Sequence, residues 1–384
     1  MSDSQPPRAP GRTPPRRNTG SDRDRAARRG AAPGRTAAPT RVARLPGGLT
    51  LRYSGRAAAV MAVLLAGCAA VWALTMFTGT YRIDTAGIAD VLLNGGGSAT
   101  DRFIIVGQRL PRVCAALLVG AALGLSGALF QSLSRNPLGS PDVIGFTTGS
   151  TSGALVVILA GGSGAGVGVG AGSVLGGLAT AIVVYGVTAS RGVSGNRLVL
   201  AGIAVGAMLA SVNDYLLTRA DLESAESAKA WTFGSLNAVS WPQVAPLALA
   251  LPVLVVATLA VGRPLRLMEM GDDTAGALGV NIARVRASAL LLGVALAGTA
   301  IAVAGPIGFL ALAAPQLARR ITRSPGAPIG SAMLTGALIL ATADLLAQRL
   351  LSPFQIPVGL VTGALGGLYL LWLLSRERST AKAG

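Results

Sequence analysis

The stretch RLPRVCAALLVGAALGLSGALFQSLSRNPLGSPDVIGFTTGS, residues 109–150, decides the fold of this chain. It is apolar from Val113 to Phe130, which as a helix is close to the length that crosses a bilayer. It then breaks at Arg135-Asn136-Pro137, and Pro141 precedes another apolar run. The pattern predicts one membrane helix, a tight polar turn and the start of the next helix.

Small residues fill this apolar run, and such residues let neighbouring membrane helices approach closely. They are Gly120, Ala121, Ala122, Gly124, Ser126, Gly127 and Ala128.

The composition excludes an ordinary soluble domain. Of 384 residues, 51% are hydrophobic and only 13% are charged, and the 52 glycines lie mostly inside apolar runs. The two cysteines, Cys68 and Cys114, lie in separate apolar segments without metal-ligand spacing. Histidine is absent, so we expect no protein-built metal site and no cofactor.

The net charge of +17 does not indicate nucleic-acid binding, because of where the charge lies. Residues 1–55 are rich in Arg, Pro, Gly and Ser and hold few large apolar side chains. We predict that they form a disordered, basic cytoplasmic tail that can touch anionic lipid, rather than a signal peptide. The remaining excess lies mostly in short loops, as in membrane proteins with positive cytoplasmic loops.

Apolar segments of roughly spanning length recur along residues 56–376, which we predict to be the membrane domain. They lie at 57–78, 113–133, 143–161, 165–189, 198–218, 243–262, 332–351 and 356–375.

Residues 287–318 form a further apolar stretch with basic residues at both ends. If both ends are cytoplasmic, the chain turns back near Gly305-Pro306, and each leg is about 15 residues, roughly 23 Å as helix. We therefore expect a short or broken helix pair there and ten membrane segments in total. Both termini, including the tail 377–384, are then cytoplasmic. A single long helix over 287–318 is the alternative, and it would reverse the last two segments.

The two halves repeat weakly. The turn residues Gln131, Arg135, Pro137, Pro141 and Gly145 resemble a second set, which is Gln316, Arg323, Pro325, Pro328 and Gly330. Internal duplication is common in transporters.

The longest internal basic loop, 263–286, has apolar residues near helical spacing up to Gly279. It predicts a short amphipathic helix, a turn and a second short helix within 267–281. The pattern fits a docking site for a cytoplasmic partner and equally an ordinary interfacial loop.

Polar groups inside the predicted spans need a role. Asp344 and Gln348 lie one turn apart, and Asn213 and Asp214 are adjacent on an earlier span. An intramembrane carboxylate is a functional candidate by default. Asp344 is either a proton relay or a hydrogen-bond acceptor between helices, and the second interpretation is favoured.

Several motifs in order resemble the permease subunits that import iron–siderophore complexes and cobalamin with an ATP-binding cassette. They are RLPR at 109–112, RNPL at 135–138, PDVIG at 141–145, WTFGSL at 231–236, GDDTA at 271–275, GPIGF at 305–309, PQLAR at 315–319 and IPVG at 356–359. The resemblance is greatest to the ferric-enterobactin permease branch. Many members of the family have His where this chain has Gln316, so no role is carried over for that His.

The resemblance implies an all-α, ten-helix subunit in a permease dimer, homomeric or heteromeric, on which cytosolic ATPase subunits are held. It implies ATPase coupling through Asp272, Asp273, Ala275 and Gly279. It also implies an outer gate at Trp231, Gly234 and Ser235. We add Gln131 and Asn213 to the expected translocation path, and we expect Arg82, Arg102 and Arg219 to dock an extracytoplasmic siderophore-binding protein.

The residues support a separate energy source. The chain has two lysines, Lys229 and Lys382, and neither lies in a phosphate-binding Gly-x-x-x-x-Gly-Lys-Ser/Thr loop. We therefore predict a transporter subunit that is not itself an enzyme, working as an importer of a ferric siderophore. The alternatives are an importer of cobalamin or haem, a proton-coupled secondary transporter using Asp344, and a membrane scaffold or receptor.

Overall fold

The computed structural model describes residues 40–44, 50–79, 81–161, 166–189, 195–323, 329–351 and 354–381. It divides into two units, Met1–Gly55 and Arg56–Gly384. In the first unit, strand β1 (Thr40–Arg44) pairs antiparallel with β2 (Thr50–Ser54). This hairpin differs from the disorder predicted there, since Thr40, Val42 and Tyr53 favour strands. The rest of the predicted tail lies outside the described residues.

The second unit is helical in every described element. The helices are α1 (Gly55–Phe77), α2 (Thr85–Ala89), α3 (Ala99–Arg102), α4 (Leu110–Ser134), α5 (Phe146–Gly161), α6 (Gly166–Ala189), α7 (Gly195–Arg219), α8 (Leu222–Thr232), α9 (Trp241–Glu269), α10 (Asp272–Ala277), α11 (Ile282–Ala304), α12 (Leu310–Thr322), α13 (Ile329–Arg349) and α14 (Val358–Ala381). Two π-helical turns, Asp90–Asn94 and Phe103–Arg109, lie beside α2 and α3.

Seven helices in the described part of the chain are long and apolar enough to cross a membrane. They are α1, α4, α6, α7, α9, α11 and α13. Two shorter apolar helices, α5 and Val358–Leu371 of α14, complete this set. The chain is thus a nearly all-helical, multi-pass membrane protein.

The prediction of two short helices within 287–318 is wrong for the first of them. The chain does turn within Gly305–Phe309, as expected. However, α11 begins at Ile282, capped by the side chain of Asn281, and its 23 residues are long enough for a full crossing. Only α12 is short, at 13 residues.

Helix α4 is the centre of the domain, because almost every side chain from Val119 to Ser134 is buried. Its glycines make direct backbone contact with two neighbours. A Cβ on Gly120 or Gly124 would overlap backbone atoms of α13, and a Cβ on Gly127 would overlap the carbonyl of Ala311 in α12. Small residues are therefore required at these crossings.

Helix α5 begins beside the interior of α7 rather than beside its end. Gly145, immediately before α5, packs on Gly202 and Gly206 of α7. Gly202 lies seven residues into α7, about 10 Å along its axis. In the non-helical segments before α5 and α12, residues 139–141, 144–145, 305 and 307 are buried against protein, whereas residues 135–138 are exposed.

We predict that Gly127→Ala lowers the free energy of unfolding by about 1–3 kcal/mol, because α4 and α12 must separate to admit the methyl group. Thermal unfolding of the protein in detergent measures the change. Gly186→Ala on α6 is the matched control, since a Cβ there meets nothing within 4 Å. Equal stability of the two variants would contradict the backbone contact.

Candidate coupling and gating sites

The predicted docking region at 267–281 is a continuation of one helix followed by a short one. Helix α9 runs without a break to Glu269, so the expected first short helix is its last turn. The physical reason is that no helix breaker stands between Pro264 and Gly271 and that Leu265 and Met268 pack inward. Gly271 (φ 120°) starts α10, and Gly279 (φ 83°) ends the following turn.

Asp272 is the anchor of α10. Its carboxylate accepts a hydrogen bond from the guanidinium of Arg286, 2.9 Å away on α11, and pairs with Arg135 at 3.5 Å. Arg286 is buried, whereas Arg135 is exposed. The ion pair therefore joins α10, α11 and the polar turn after α4.

A second polar contact links α9 to α4. The hydroxyl of Ser132 donates to Glu269 at 2.6 Å. Together with the Asp272–Arg135 pair, it holds α10 and the last turn of α9 against the end of α4.

The outer surface of this unit is open. Asp273 and Gly279 are exposed, whereas Ala275 is buried beneath them. Met270 and Leu278 are also largely exposed, at 68% and 61%. The structure thus places Asp273 and Gly279 on the surface, together with the apolar side chains of Met270 and Leu278.

The weak repeat has a reciprocal structure. Gln131 donates its amide to the carbonyl of Leu312, and Gln316 donates to the carbonyl of Pro137 at 2.7 Å. Arg135 and Arg323 close α4 and α12 in the same left-handed conformation, with φ of 51° and 50°. Residues 325 and 328 of the second set lie outside the described part of the chain.

The expected gate residues lie in a tight junction of three glycines. The N–H of Gly359 donates to the carbonyl of Gly234, and the N–H of Ser235 donates to the carbonyl of Ala304 at 2.7 Å. A Cβ on Gly234, Gly305 or Gly359 would overlap the neighbouring backbone. The end of α8, the end of α11 and the start of α14 therefore form one rigid body.

Trp231 packs beside that junction. It is half-buried against the cluster of Leu155, Ile158 and Ala228.

Helix α8, which ends at the residue after Trp231, is capped at its start by Asp221. Hydrogen bonds from the backbone N–H and the hydroxyl of Ser224 lower the pKa of this exposed carboxyl, so the cap weakens only when the pH falls through that lowered value.

Asn213 is one of the residues that we expected on the translocation path. It is buried in α7, and its Oδ1 atom has no hydrogen-bond partner. The neighbouring Ser211 and Asp214 are exposed on the same helix. An exposed carboxylate and hydroxyl on a spanning helix favour contact with water or protein over lipid.

Asp344 is fully engaged. Arg112 binds it through two nitrogens, each 2.9 Å from one carboxylate oxygen, and Gln348 donates to it at 2.8 Å. Arg112 also donates to Gln355. This forked ion pair ties α4 to α13, which fits the structural interpretation of Asp344 and leaves little for a proton relay.

The sequence matches the FecCD transport family over residues 64–376. The chain belongs to the FecCD transport family.

Relatives and a solved structure agree with this assignment. The ferric enterobactin transport system permease protein FepG of Escherichia coli (strain K12) is 44% identical over 317 residues, which is 82% of this chain and 95% of FepG. The hemin transport system permease protein HmuU of Yersinia pestis is 38% identical over 278 residues, 70% of this chain and 82% of HmuU. An inward-facing structure described as a metal-chelate type ABC transporter aligns with TM-score 0.74 and 25% identity, covering 83% of this chain and 99% of that one.

In this FecCD-family chain, Gln316 links the two halves of the weak repeat by a hydrogen bond. It is buried, donates to Pro137 and accepts from the hydroxyl of Tyr369 at 3.3 Å. Among the described residues, no group of three or more His, Cys, Asp and Glu side chains is placed to hold a metal ion.

The three expected docking arginines are exposed at the ends of different elements. Arg82 precedes α2, Arg102 ends α3, and Arg219 ends α7. Only Arg102 has a described hydrogen bond, a long one of 3.5 Å to the carbonyl of Gly95. Their side chains are accessible to a partner.

Two buried residues with clear contacts were missed from the sequence. Arg109 donates to the carbonyls of Met76 and Tyr81 and thereby fixes the chain after α1. Asp142 accepts a hydrogen bond from the hydroxyl of Thr147 at 2.6 Å. An acid placed just before an apolar run is a helix-start signal, which could have drawn attention to Asp142.

We predict that Arg112→Gln and Asp344→Asn each lower the free energy of unfolding by about 3 kcal/mol, because each leaves one buried partner of the pair unsatisfied. The double variant should cost little more than either single one. Chemical unfolding of the four proteins in detergent gives this double-mutant cycle. Additive losses would show that the two side chains do not depend on each other.

Proposed function

We propose that this protein is the membrane-spanning permease subunit of an ATP-binding-cassette importer that carries a ferric siderophore of the enterobactin type across the cytoplasmic membrane. The observation that carries the proposal is the 44% identity to a ferric enterobactin permease over 95% of that relative's length. Hydrolysis of ATP is assigned to a partner chain, and no cofactor is needed by this one.

The proposed topology has ten membrane segments with both termini in the cytoplasm. Beside the seven long apolar helices, it counts α5, α12 and α14. The two short helices α5 and α12 are each preceded by a non-helical segment that is partly buried, as are the discontinuous helices of many transporters. Basic turns at Arg135 and Arg323 support the same cytoplasmic side for both.

The cytosolic ATPase is proposed to dock on α10 and the turns beside it. Asp272 and Ala275 hold this knob in place, and Asp273 and Gly279 lie on its exposed side. Met270 and Leu278 supply apolar surface that is costly to leave in water. The ion pairs of Asp272 with Arg135 and Arg286 make the knob firm enough to transmit movement.

The translocation path is proposed to run along the exposed side of α7 that carries Ser211 and Asp214, opposite a second permease subunit, with Asn213 behind it on the buried side and Gln131 on the cytoplasmic side. Trp231, Gly234 and Ser235 form the outer gate. Because their backbone is locked to α11 and α14, the gate opens by moving these helices together rather than by loop flexing.

An extracytoplasmic binding protein is proposed to dock through Arg82, Arg102 and Arg219, whose exposed guanidinium groups suit carboxylates on that partner. Reversing all three charges should weaken docking and uptake. Lys229→Glu, a reversal at another exposed cation of the same region, is the control. Unchanged binding-protein affinity in the triple variant would remove these arginines from the interface.

The central test is uptake by vesicles that contain this subunit, its permease partner and the ATPase, with the binding protein added outside. We expect ferric enterobactin to enter only with ATP inside and to be unaffected by an uncoupler. Uptake that survives without ATP and stops with an uncoupler would favour the proton-coupled alternative. Haem, cobalamin and ferric citrate are tested in parallel with their own binding proteins. Uptake of one of them in place of ferric enterobactin would identify a different cargo.

We expect Leu278→Asp to reduce capture of the ATPase by about tenfold or more, because it places a charge in a contact surface meant to be apolar. A pull-down from detergent with purified ATPase measures the loss. Leu222→Asp, at a leucine at the start of α8 that is more exposed than Leu278, should leave capture unchanged. Equal effects of the two changes would argue against docking at α10.

A further inference from the structure

The segment between α4 and α5 joins two distant parts of the fold. At one end, Arg135 pairs with Asp272 of α10. At the other, the carboxylate of Asp142 lies against the backbone N–H of Phe309, which precedes α12. The segment therefore connects the proposed ATPase-docking helix directly to the turn that precedes α12.

This segment is stiff. Asn136 accepts a hydrogen bond from the N–H of Leu138 and its carbonyl accepts one from Gly139, while Gln316 clamps the carbonyl of Pro137. Farther along, the N–H groups of Ile144 and Phe146 donate to the carbonyls of Ser140 and Pro141. Pro137 and Pro141 restrict the backbone further. A displacement of one end of the segment is therefore transmitted to the other end.

Asp142 is placed to transmit that displacement to the start of α12. It is partly buried and lies between two helix starts, since Thr147 in the first turn of α5 donates to Oδ1 and the amide of Phe309 lies near the carboxylate. Its Oδ2 atom is buried and has no hydrogen-bond partner. One carboxylate therefore lies between the starts of both short helices and would be shifted by movement of either.

The turn before α12, at the other end of this route, has a strained backbone and close contacts with other helices. Phe309 has a left-handed backbone (φ 65°), a conformation that costs a residue with a side chain of order 1–3 kcal/mol. Its side chain packs tightly on Gly366 of α14. Four residues earlier, Gly305 belongs to the three-glycine junction of the proposed gate. A displacement of Phe309 would therefore also displace α14 and the proposed gate beside Gly305.

We propose that residues 135–142 are the linkage that transmits movement of α10 to the start of α12, with Arg135 and Asp142 as its two positioning residues. This inference rests on the proposed function, because it assumes that an ATPase moves α10. It goes further by naming the internal route along which that movement reaches the gate.

The test follows the turn before α12 and needs no cargo. Gly308→Cys is introduced after Cys68 and Cys114 have been changed to Ala, and a Cβ at position 308 meets nothing within 4 Å. The rate at which a small maleimide labels this cysteine is measured in the assembled complex, without nucleotide and after trapping with ATP and vanadate. We expect trapping to change the rate by about threefold or more.

Arg135→Gln and Asp142→Asn should make labelling independent of nucleotide. Arg323→Gln is the matched control, since Arg323 has the same left-handed backbone at the end of α12 and no described ion pair with α10. It should keep the response, as should Arg135→Lys, which retains the charge. Pull-down confirms that each variant still holds the ATPase.

A nucleotide response that persists in Arg135→Gln or Asp142→Asn would overturn the linkage, as would loss of the response in Arg323→Gln or its absence before either change is made. If the complex does not assemble with Arg135→Gln, a lost response in Arg135→Lys also overturns it, and a retained one supports it. Because labelling is independent of uptake, failure of ferric enterobactin transport would count against the proposed function alone.

Discussion

Direct backbone contact between α4 and its neighbours is the constraint on which the rest of the structure depends. Where Gly120, Gly124 and Gly127 meet α13 and α12, no side chain separates the helices. In a bilayer, where lipid offers no hydrophobic drive between helices, this packing supplies much of the association energy. It also fixes the position of α4, and hence of Arg135 and the segment that follows it.

From that fixed helix, charge contacts extend in two directions. Arg112 near one end of α4 is forked onto Asp344 of α13, and Arg135 beyond the other end meets Asp272 of α10. The first pair is buried and joins two helices, whereas the second is partly exposed and joins the turn after α4 to α10. A packed interior of this kind moves between discrete arrangements of rigid bodies instead of deforming smoothly.

Much of this was predictable because the signals are local. The helix across 113–133, its break at Arg135-Asn136-Pro137 and the return at Gly305-Pro306 follow from apolar length and from proline and glycine. The boundaries were less accurate. Polar residues such as Arg284 and Arg286 were assigned to a loop, yet they lie in the first turns of α11, since its Asn281 cap rather than hydropathy sets the start.

The sequence by itself determined the class of the protein, its helical segments and, through ordered motifs, its family, because these depend on composition and on neighbours along the chain. Only the tertiary structure decided which polar groups meet. The pairing of Asp344 with Arg112 spans 232 positions, and the approach of Asp142 to Phe309 depends on how two short helices pack. Such contacts are set by helix crossings at glycine, and no pattern within one segment reports them.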